Sequence, residues 1–135
     1  MPDYRNDPTL AIPAFPGSHL VLDDHYVFVS GLTVADIQGG ESVMGDIGEE
    51  TRWVMRRLDR MLTYVGADLA DTVRVDVHLT NLDEQRNMDA AYAEFFHRHR
   101  YPARTCTMTP RLYGGANVEI TLMVRRRRET TSSEE

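Results

Sequence analysis

No lysine occurs in the chain; all fifteen of its basic side chains are arginine. That absence excludes a Schiff-base nucleophile, a pyridoxal phosphate anchor and the lysine of a Walker motif. Arginine stays protonated at any working pH, so it can bind anions but is a poor general base. Cysteine is nearly absent too. Cys106 stands alone, which rules out an internal disulfide framework and any zinc site built from several thiolates. No apolar run approaches the length of a membrane span. The opening MPDYRNDPTL lacks the basic-then-apolar layout of a signal peptide. The simplest expectation is a cytoplasmic protein with no membrane partner. A net charge of −6 disfavours nonspecific binding to nucleic acid. With 135 residues, one hydrophobic core is expected rather than two.

What is present has a clear order. Residues 1–16 carry four prolines and little periodicity, and are expected to form an extended N-terminal arm. Two short β runs follow, Ser18–Leu22 and Tyr26–Ser30, joined by Asp23-Asp24. Residues 32–45 read as a polar, Gly-rich loop. Asp46 followed by Glu49 fits a capping box, and Ile47, Thr51, Val54, Leu58, Met61, Leu62 and Val65 recur at helical spacing until Gly66. Arg52, Arg56, Asp59 and Arg60 on the opposite face read as a solvated surface. Val73, Val75, Val77 and Leu79 then alternate with Arg74, Asp76, His78 and Thr80, as in a strand with one buried face. A second helix is expected from Asn87 to about His99, and two strands near 104–109 and 117–124. The order ββαβαββ predicts an α+β fold, a single mostly antiparallel sheet with two helices packed on one face. The unit from 71 to 109 implies one parallel strand pair. The expected domain spans 17–128, followed by a polar tail at 129–135.

Two charged residues stand out. Glu119 lies between Val118 and Ile120 in a strand, and shares its face with Thr121 and Met123. A carboxylate there needs a partner or water, so the choice lies between a structural ion pair and a site. Arg104 follows Pro102-Ala103 at a strand start, where its fork suits either a salt bridge or a carboxylate ligand. Cys106 shares a face with Arg104 but has no local imidazole, and reads as a small buried residue. His97 and His99 are two apart on a helix, which is poor metal geometry, and no metal site is expected. His78 and Asp76 share a strand face as a candidate hydrogen-bonded pair. The run Arg125–Arg128 reads as a solvated terminus. An N-terminal Pro2 base would have to open a buried strand, which DYRNDP does not suggest.

Taken together, residues 17–125 resemble the Rid family, also called YjgF, of small trimeric imine and enamine deaminases. The resemblance rests on Val27-Phe-Val-Ser-Gly31, Gly45-Asp46-Ile47 with Thr51-Arg52, and the strand Val73–Thr80. It extends through Ala91-Tyr-Ala-Glu-Phe-Phe96, Pro102-Ala-Arg104 with Cys106, Arg111-Leu112 and Val118-Glu-Ile120. It implies a chorismate-mutase-like architecture and hydrolysis of 2-imino or 2-enamino acids to 2-oxo acids and ammonia. No metal or cofactor is implied, because the imine carbon is already electrophilic. Arg104 is then the grip on a substrate carboxylate and Glu119 the residue that activates water. Gly31, Ser30, Cys106 and Asp89 complete the implied substrate pocket, with Gly31 and Cys106 contributing backbone groups.

The departures are as specific as the matches. Where the family carries Gly-Pro-Tyr, this chain has Phe15-Pro16-Gly17, so the tyrosine is missing and Phe15 or His19 is left to fill its space. Ser30-Gly31-Leu32 replaces Ser-Gly-Gln. Asp89 stands where an asparagine is common, adding negative charge beside an anion site. A noncatalytic protein that binds a small carboxylate such as a 2-oxo acid, on the same scaffold, is the alternative. A ribonuclease role fits less well with an acidic chain lacking a convincing histidine pair. The half-polar second sheet face and open sheet edges predict association, expected as a homotrimer with sites between subunits. Were 104–109 and 117–124 a simple hairpin, Glu119 would lie roughly 16 Å along the strands from Arg104. A crossover connection instead starts the two strands at opposite ends of the sheet.

Overall fold

The computed structural model describes residues 2–127. Met1, Arg128 and the tail at 129–135 lie outside the described residues. Six strands form one sheet in the order β1-β2-β3-β6-β4-β5. They are β1 (Asp3–Arg5), β2 (Leu20–Leu22), β3 (Tyr26–Leu32), β4 (Thr72–Leu79), β5 (Ala103–Met108) and β6 (Val118–Arg125). Among the described residues only β4 and β5 run parallel; the other pairs are antiparallel. Two helices, α1 (Ile47–Tyr64) and α2 (Gln85–Ala93), complete the α+β fold.

Strand β1 was not expected. Its three residues are exposed and carry no apolar alternation, so nothing local announces it. It exists because β2 offers a free edge, on which Asp3, Tyr4 and Arg5 pair with Leu22, Val21 and Leu20. Being exposed, it also means Pro2 does not open a buried strand. The rest of the arm is seated by polar contacts. Buried Asp7 accepts from the Thr9 amide at 2.8 Å, and the Asp7 amide donates to His19 Nδ1 at 2.8 Å.

Helix α1 follows its sequence pattern. Val54, Met55, Leu58, Met61 and Leu62 are buried at helical spacing against the sheet. The expected capping box is half formed. Asp46 accepts from the Glu49 amide at 3.2 Å, while the Glu49 carboxylate turns away to Arg52 at 2.7 Å. At the other end Gly66, with φ of +78°, lets Ala67 N–H reach Leu62 O at 2.8 Å and Gly66 N–H reach Thr63 O at 3.0 Å. These are the two bonds of a Schellman motif. Arg52 is more than a solvated charge, since it also holds Glu94 beyond α2 at 2.8 Å.

Helix α2 stops at Ala93, short of the expected His99. Phe95 and Phe96 still pack on the core, but from turns rather than helix. His99 then takes a left-handed φ of +69°, and Pro102 follows, so no helix continues. The segment 32–45 is also more ordered than a loop. It makes two 3-10 turns, Val34–Asp36 and Gly40–Val43, and buries Val34 and Ile37.

Strand order settles which residues share a face. Val75, Val77 and Leu79 of β4 lie across from Leu122, Ile120 and Val118 of β6, all buried under the helices. The alternate residues, including His78, Asp76, Glu119, Thr121 and Met123, occupy the opposite, open face. His78 does not pair with Asp76 as anticipated. Its Nδ1 meets Thr107 Oγ1 at 2.7 Å, while Asp76 accepts from Arg74 at 3.0 Å. Thr107 is the β5 residue in register with His78, so this bond runs across the sheet rather than along the strand.

Candidate active site

Glu119 stands near the start of β6, where alternation between buried Val118 and Ile120 turns it to the open face. Its side chain leans across β6 toward β3. A Cβ added to Gly31 would sit 2.8 Å from Glu119 Cδ and 3.0 Å from Oε2. Glycine is therefore required by the carboxylate's close approach. The β3–β6 register shifts between Val29 and Leu32, which gives this crossing point its irregular backbone.

Glu119, Gly31 and Ser30 line one cavity of about 340 Å³. The N-terminal arm supplies much of its wall through Leu10, Ile12, Pro13 and Phe15, and Leu32, Ala35 and Met61 add further apolar surface. Among the described residues Glu119 makes no hydrogen bond or ion pair. The carboxylate is thus held in a largely apolar recess with its oxygens free for a ligand or water. Phe15 and His19 both line this cavity. His19 Nδ1 is taken by the Asp7 amide, so in the neutral ring the proton sits on Nε2, a donor.

Arg104 lies elsewhere. In β5 it is in register with Val75, on the face that the helices cover. Its Nη1 donates to Asp89 Oδ1 of α2 at 2.6 Å, and its Cζ lies 5.0 Å from the ring centroid of Tyr92. Tyr92, one turn beyond Asp89, is 5% exposed, and burial pushes its phenol up to about 12. Its hydroxyl finds no hydrogen-bond partner among the described residues. Cys106 shares the Arg104 face, packs against the core, and has its thiol pushed up by burial. It is a protonated, poorly nucleophilic thiol at neutral pH.

The residues singled out in the sequence thus fall into two groups. Glu119, Gly31 and Ser30 meet at one cavity, whereas Arg104, Asp89 and Cys106 gather under α2. Strand β4 separates the groups, since β5 and β6 both flank it and do not pair with each other. Arg104 is level with Leu122 through Val75, three residues from Glu119. Two strand spacings and three residues of rise place their Cα atoms roughly 14 Å apart. Their side chains leave opposite faces of the sheet.

Two residues escaped the sequence reading. Tyr113, 65% exposed, brings a phenol to the Glu119 cavity from the turn before β6. Glu50 is fully buried and accepts from Gly45 N at 2.7 Å, Asn117 N at 2.9 Å and Asn117 Nδ2 at 2.8 Å. It ties the start of α1 to Asn117, the residue just before β6 and two before Glu119. A signal for it existed, because Glu50 falls three residues after Ile47 and four before Val54, on the inward side of the helical pattern. A wider depression of about 660 Å³, with Asp68, Asp71, His97 and Arg127 on its walls, contains neither Glu119 nor Arg104.

Comparison with known proteins places this geometry among relatives. A family model described as Endoribonuclease L-PSP matches residues 9–126. A RutC family protein of Pyrococcus abyssi is 35% identical over 108 residues, covering 80% of this chain and 84% of the relative. The Homo sapiens protein named 2-iminobutanoate/2-iminopropanoate deaminase is 27% identical over 105 residues, covering 78% of this chain and 76% of its own. Among solved structures, one from Thermotoga maritima superposes with a TM-score of 0.82 at 26% identity, covering 93% of this chain and 98% of the other. TdcF of E. coli, solved with bound serine, gives a TM-score of 0.81 at 23% identity, covering 93% and 99%.

Proposed function

Given that the chain belongs to the L-PSP family, known also as Rid, YjgF and RutC, we propose that it is a hydrolytic deaminase of 2-imino and 2-enamino acids. The observation that carries this reading is the unpartnered Glu119 carboxylate against Gly31 in a largely apolar cavity. A carboxylate with no hydrogen-bond or ion-pair partner among the described residues is available to take a proton from water. Relatives named 2-iminobutanoate/2-iminopropanoate deaminase supply the reaction class.

The steps balance without a cofactor. An enamine first gains a proton on its β carbon and loses one from nitrogen to give the imine. Glu119 takes a proton from water as the water oxygen bonds to the imine carbon, and the C=N electron pair moves to nitrogen. The protonated Glu119 returns that proton to the nitrogen, leaving a carbinolamine; the hydroxyl proton then passes through Glu119 to the nitrogen as the C=O bond forms, the C–N bond breaks and ammonia leaves. Arg104 holds the far end of the substrate so that the imine carbon stays over Glu119.

One small substrate cannot contact both residues within a single chain when they lie roughly 14 Å apart on opposite faces. The proposed site therefore joins the Glu119 cavity of one chain to the Arg104 side of a neighbour, in a homotrimer. A second reading, binding of a 2-oxo acid without turnover, draws on Phe15, which brings no hydroxyl to the cavity.

The test is to generate 2-aminoacrylate in situ from serine and follow 2-oxo acid release with and without the protein. Acceleration supports the deaminase; saturable binding of the 2-oxo acid without acceleration supports the second reading. Cleavage of RNA under the same conditions in place of imine hydrolysis would reject both. Arg104→Ala and Arg104→Lys should each lower kcat/KM by about 100-fold while remaining folded, because lysine does not restore the planar fork. Full activity in either variant would remove Arg104 from the site.

A further inference from the structure

We propose that the Tyr113 hydroxyl is a further catalytic group of the Glu119 cavity, a hydrogen-bond donor to the nitrogen of the substrate C=N bond. This rests on the deaminase reading for the reaction, and adds to Glu119 and Arg104 a third contact, at the reacting bond itself.

The need arises from the chemistry at Glu119. While water adds to the imine carbon, the electron pair of the C=N bond collects on nitrogen. At that moment the carboxylate is still taking its proton from water and has none to give. A separate donor, already in place, stabilises the charge on nitrogen without rearranging. The phenol keeps its own proton throughout. It holds the nitrogen by a hydrogen bond until Glu119 delivers the proton taken from water.

Tyr113 is placed to be that donor. Its side chain lines the same cavity as Glu119, and among the described residues its hydroxyl has no hydrogen-bond partner. Ser30 Oγ is committed to Ser18 O at 2.6 Å. Ser18 and His19 also carry free donors, but they enter from the β2 side. Ser30 N–H donates to His19 O at 3.0 Å, so β3 stands between them and Glu119 on β6. That separation is two strand spacings, roughly 10 Å. Tyr113 comes instead from the turn Tyr113–Gly115, just before β6. The turn is firmly seated. Gly114 and Gly115 take left-handed φ of +65° and +83°, and a Cβ on Gly114 would overlap the Ala35 Cβ. Ala35 is itself held, its amide donating to Thr33 Oγ1 at 3.0 Å. Being 65% exposed, Tyr113 stands at the cavity mouth, on the way from Glu119 to the Arg104 side of a neighbouring chain.

The test compares 2-oxobutanoate with butanoate by calorimetry on the wild-type protein and Tyr113→Phe, each verified as the same oligomer by native mass spectrometry. The keto oxygen of 2-oxobutanoate stands in for the imine nitrogen as acceptor, and butanoate lacks it. Wild type should prefer the keto acid, and Tyr113→Phe should cut that preference by about fivefold, the effect of one hydrogen bond. Butanoate affinity should not change, because phenylalanine keeps the ring. On an imine substrate the variant should lower kcat by about 100-fold. If Tyr113 only shapes the cavity or a subunit contact, the variant will weaken both ligands alike, and that result overturns the proposal. An undiminished keto preference in the variant overturns it as well. The deaminase reading is read out separately, by accelerated ammonia release from an imine generated in situ. A keto preference that falls in the variant, with no acceleration by wild type, supports the hydrogen bond and rejects the deaminase. Acceleration by wild type with the same keto preference in both proteins does the reverse.

Discussion

Replacing Glu119 by glutamine is expected to lower kcat on an imine substrate by about 100- to 10,000-fold, the range contributed by a positioned general base. Binding of an unreactive 2-oxo ligand should stay within about threefold, because glutamine keeps the shape of the side chain. The geometry separates these two effects. Glu119 has no ion pair or hydrogen bond to lose among the described residues, so the substitution leaves no stranded partner and little structural disturbance. Its carboxyl group already rests against Gly31, where a Cβ would lie 2.8 Å from Cδ, and an amide of equal size fits the same space. Kinetics and ligand titration on one preparation decide the matter. Loss of ligand binding with unchanged turnover per occupied site would make Glu119 a recognition residue and reject the water-activating role.

Glu50→Ala is expected to be the most destabilising of the substitutions considered, by about 3–5 kcal/mol. Glu50 is completely buried, and its two oxygens satisfy three donors, the amides of Gly45 and Asn117 and the Asn117 side chain. Alanine strands all three away from water and opens a cavity. Glu50→Gln should fall between, near 1–3 kcal/mol, because its NH₂ group must face a donor that the carboxylate oxygen accepted from. Urea denaturation at matched protein concentration reads the difference, with the midpoint falling and the slope unchanged. A midpoint change in Glu50→Ala worth less than about 1 kcal/mol would show that these contacts do not hold the start of β6 in place.

What could be read from the sequence was what is local. Helix α1 announced itself through Val54, Leu58, Met61 and Leu62, and β4 through the alternation of Val75, Val77 and Leu79 with charged residues. The face of Glu119 followed from its neighbours Val118 and Ile120. Strand β1 stayed hidden because Asp3, Tyr4 and Arg5 bury nothing and depend on the edge of β2. The parallel pairing of β4 and β5 was legible from the strand-helix-strand unit. The separation of Arg104 and Glu119 by an intervening strand was not, because it depends on β4 lying between β5 and β6, which is decided by strand order. The Asp89–Arg104 contact joins residues fifteen apart on different elements, with no periodicity to signal it. Asp89 was visible as an extra negative charge, but its position on the guanidinium was not. Phe15 and His19 were visible as alternatives for one space, and the cavity accommodates both because the arm folds back along its wall.

The central claim is that the reacting site takes Glu119 from one chain and Arg104 from another. Subunit complementation tests it most directly. Glu119→Gln and Arg104→Ala are each prepared, shown to be inactive, then unfolded together in equal amounts and refolded, with mixed oligomers verified by native mass spectrometry. If each site draws its two residues from different chains, random assembly gives half the sites a native Glu119 and half of those a native Arg104. The mixture should then regain about a quarter of wild-type activity. If the two residues act within one chain, no assembly of these variants contains a competent site, and verified mixed oligomers with no recovered activity would contradict the account.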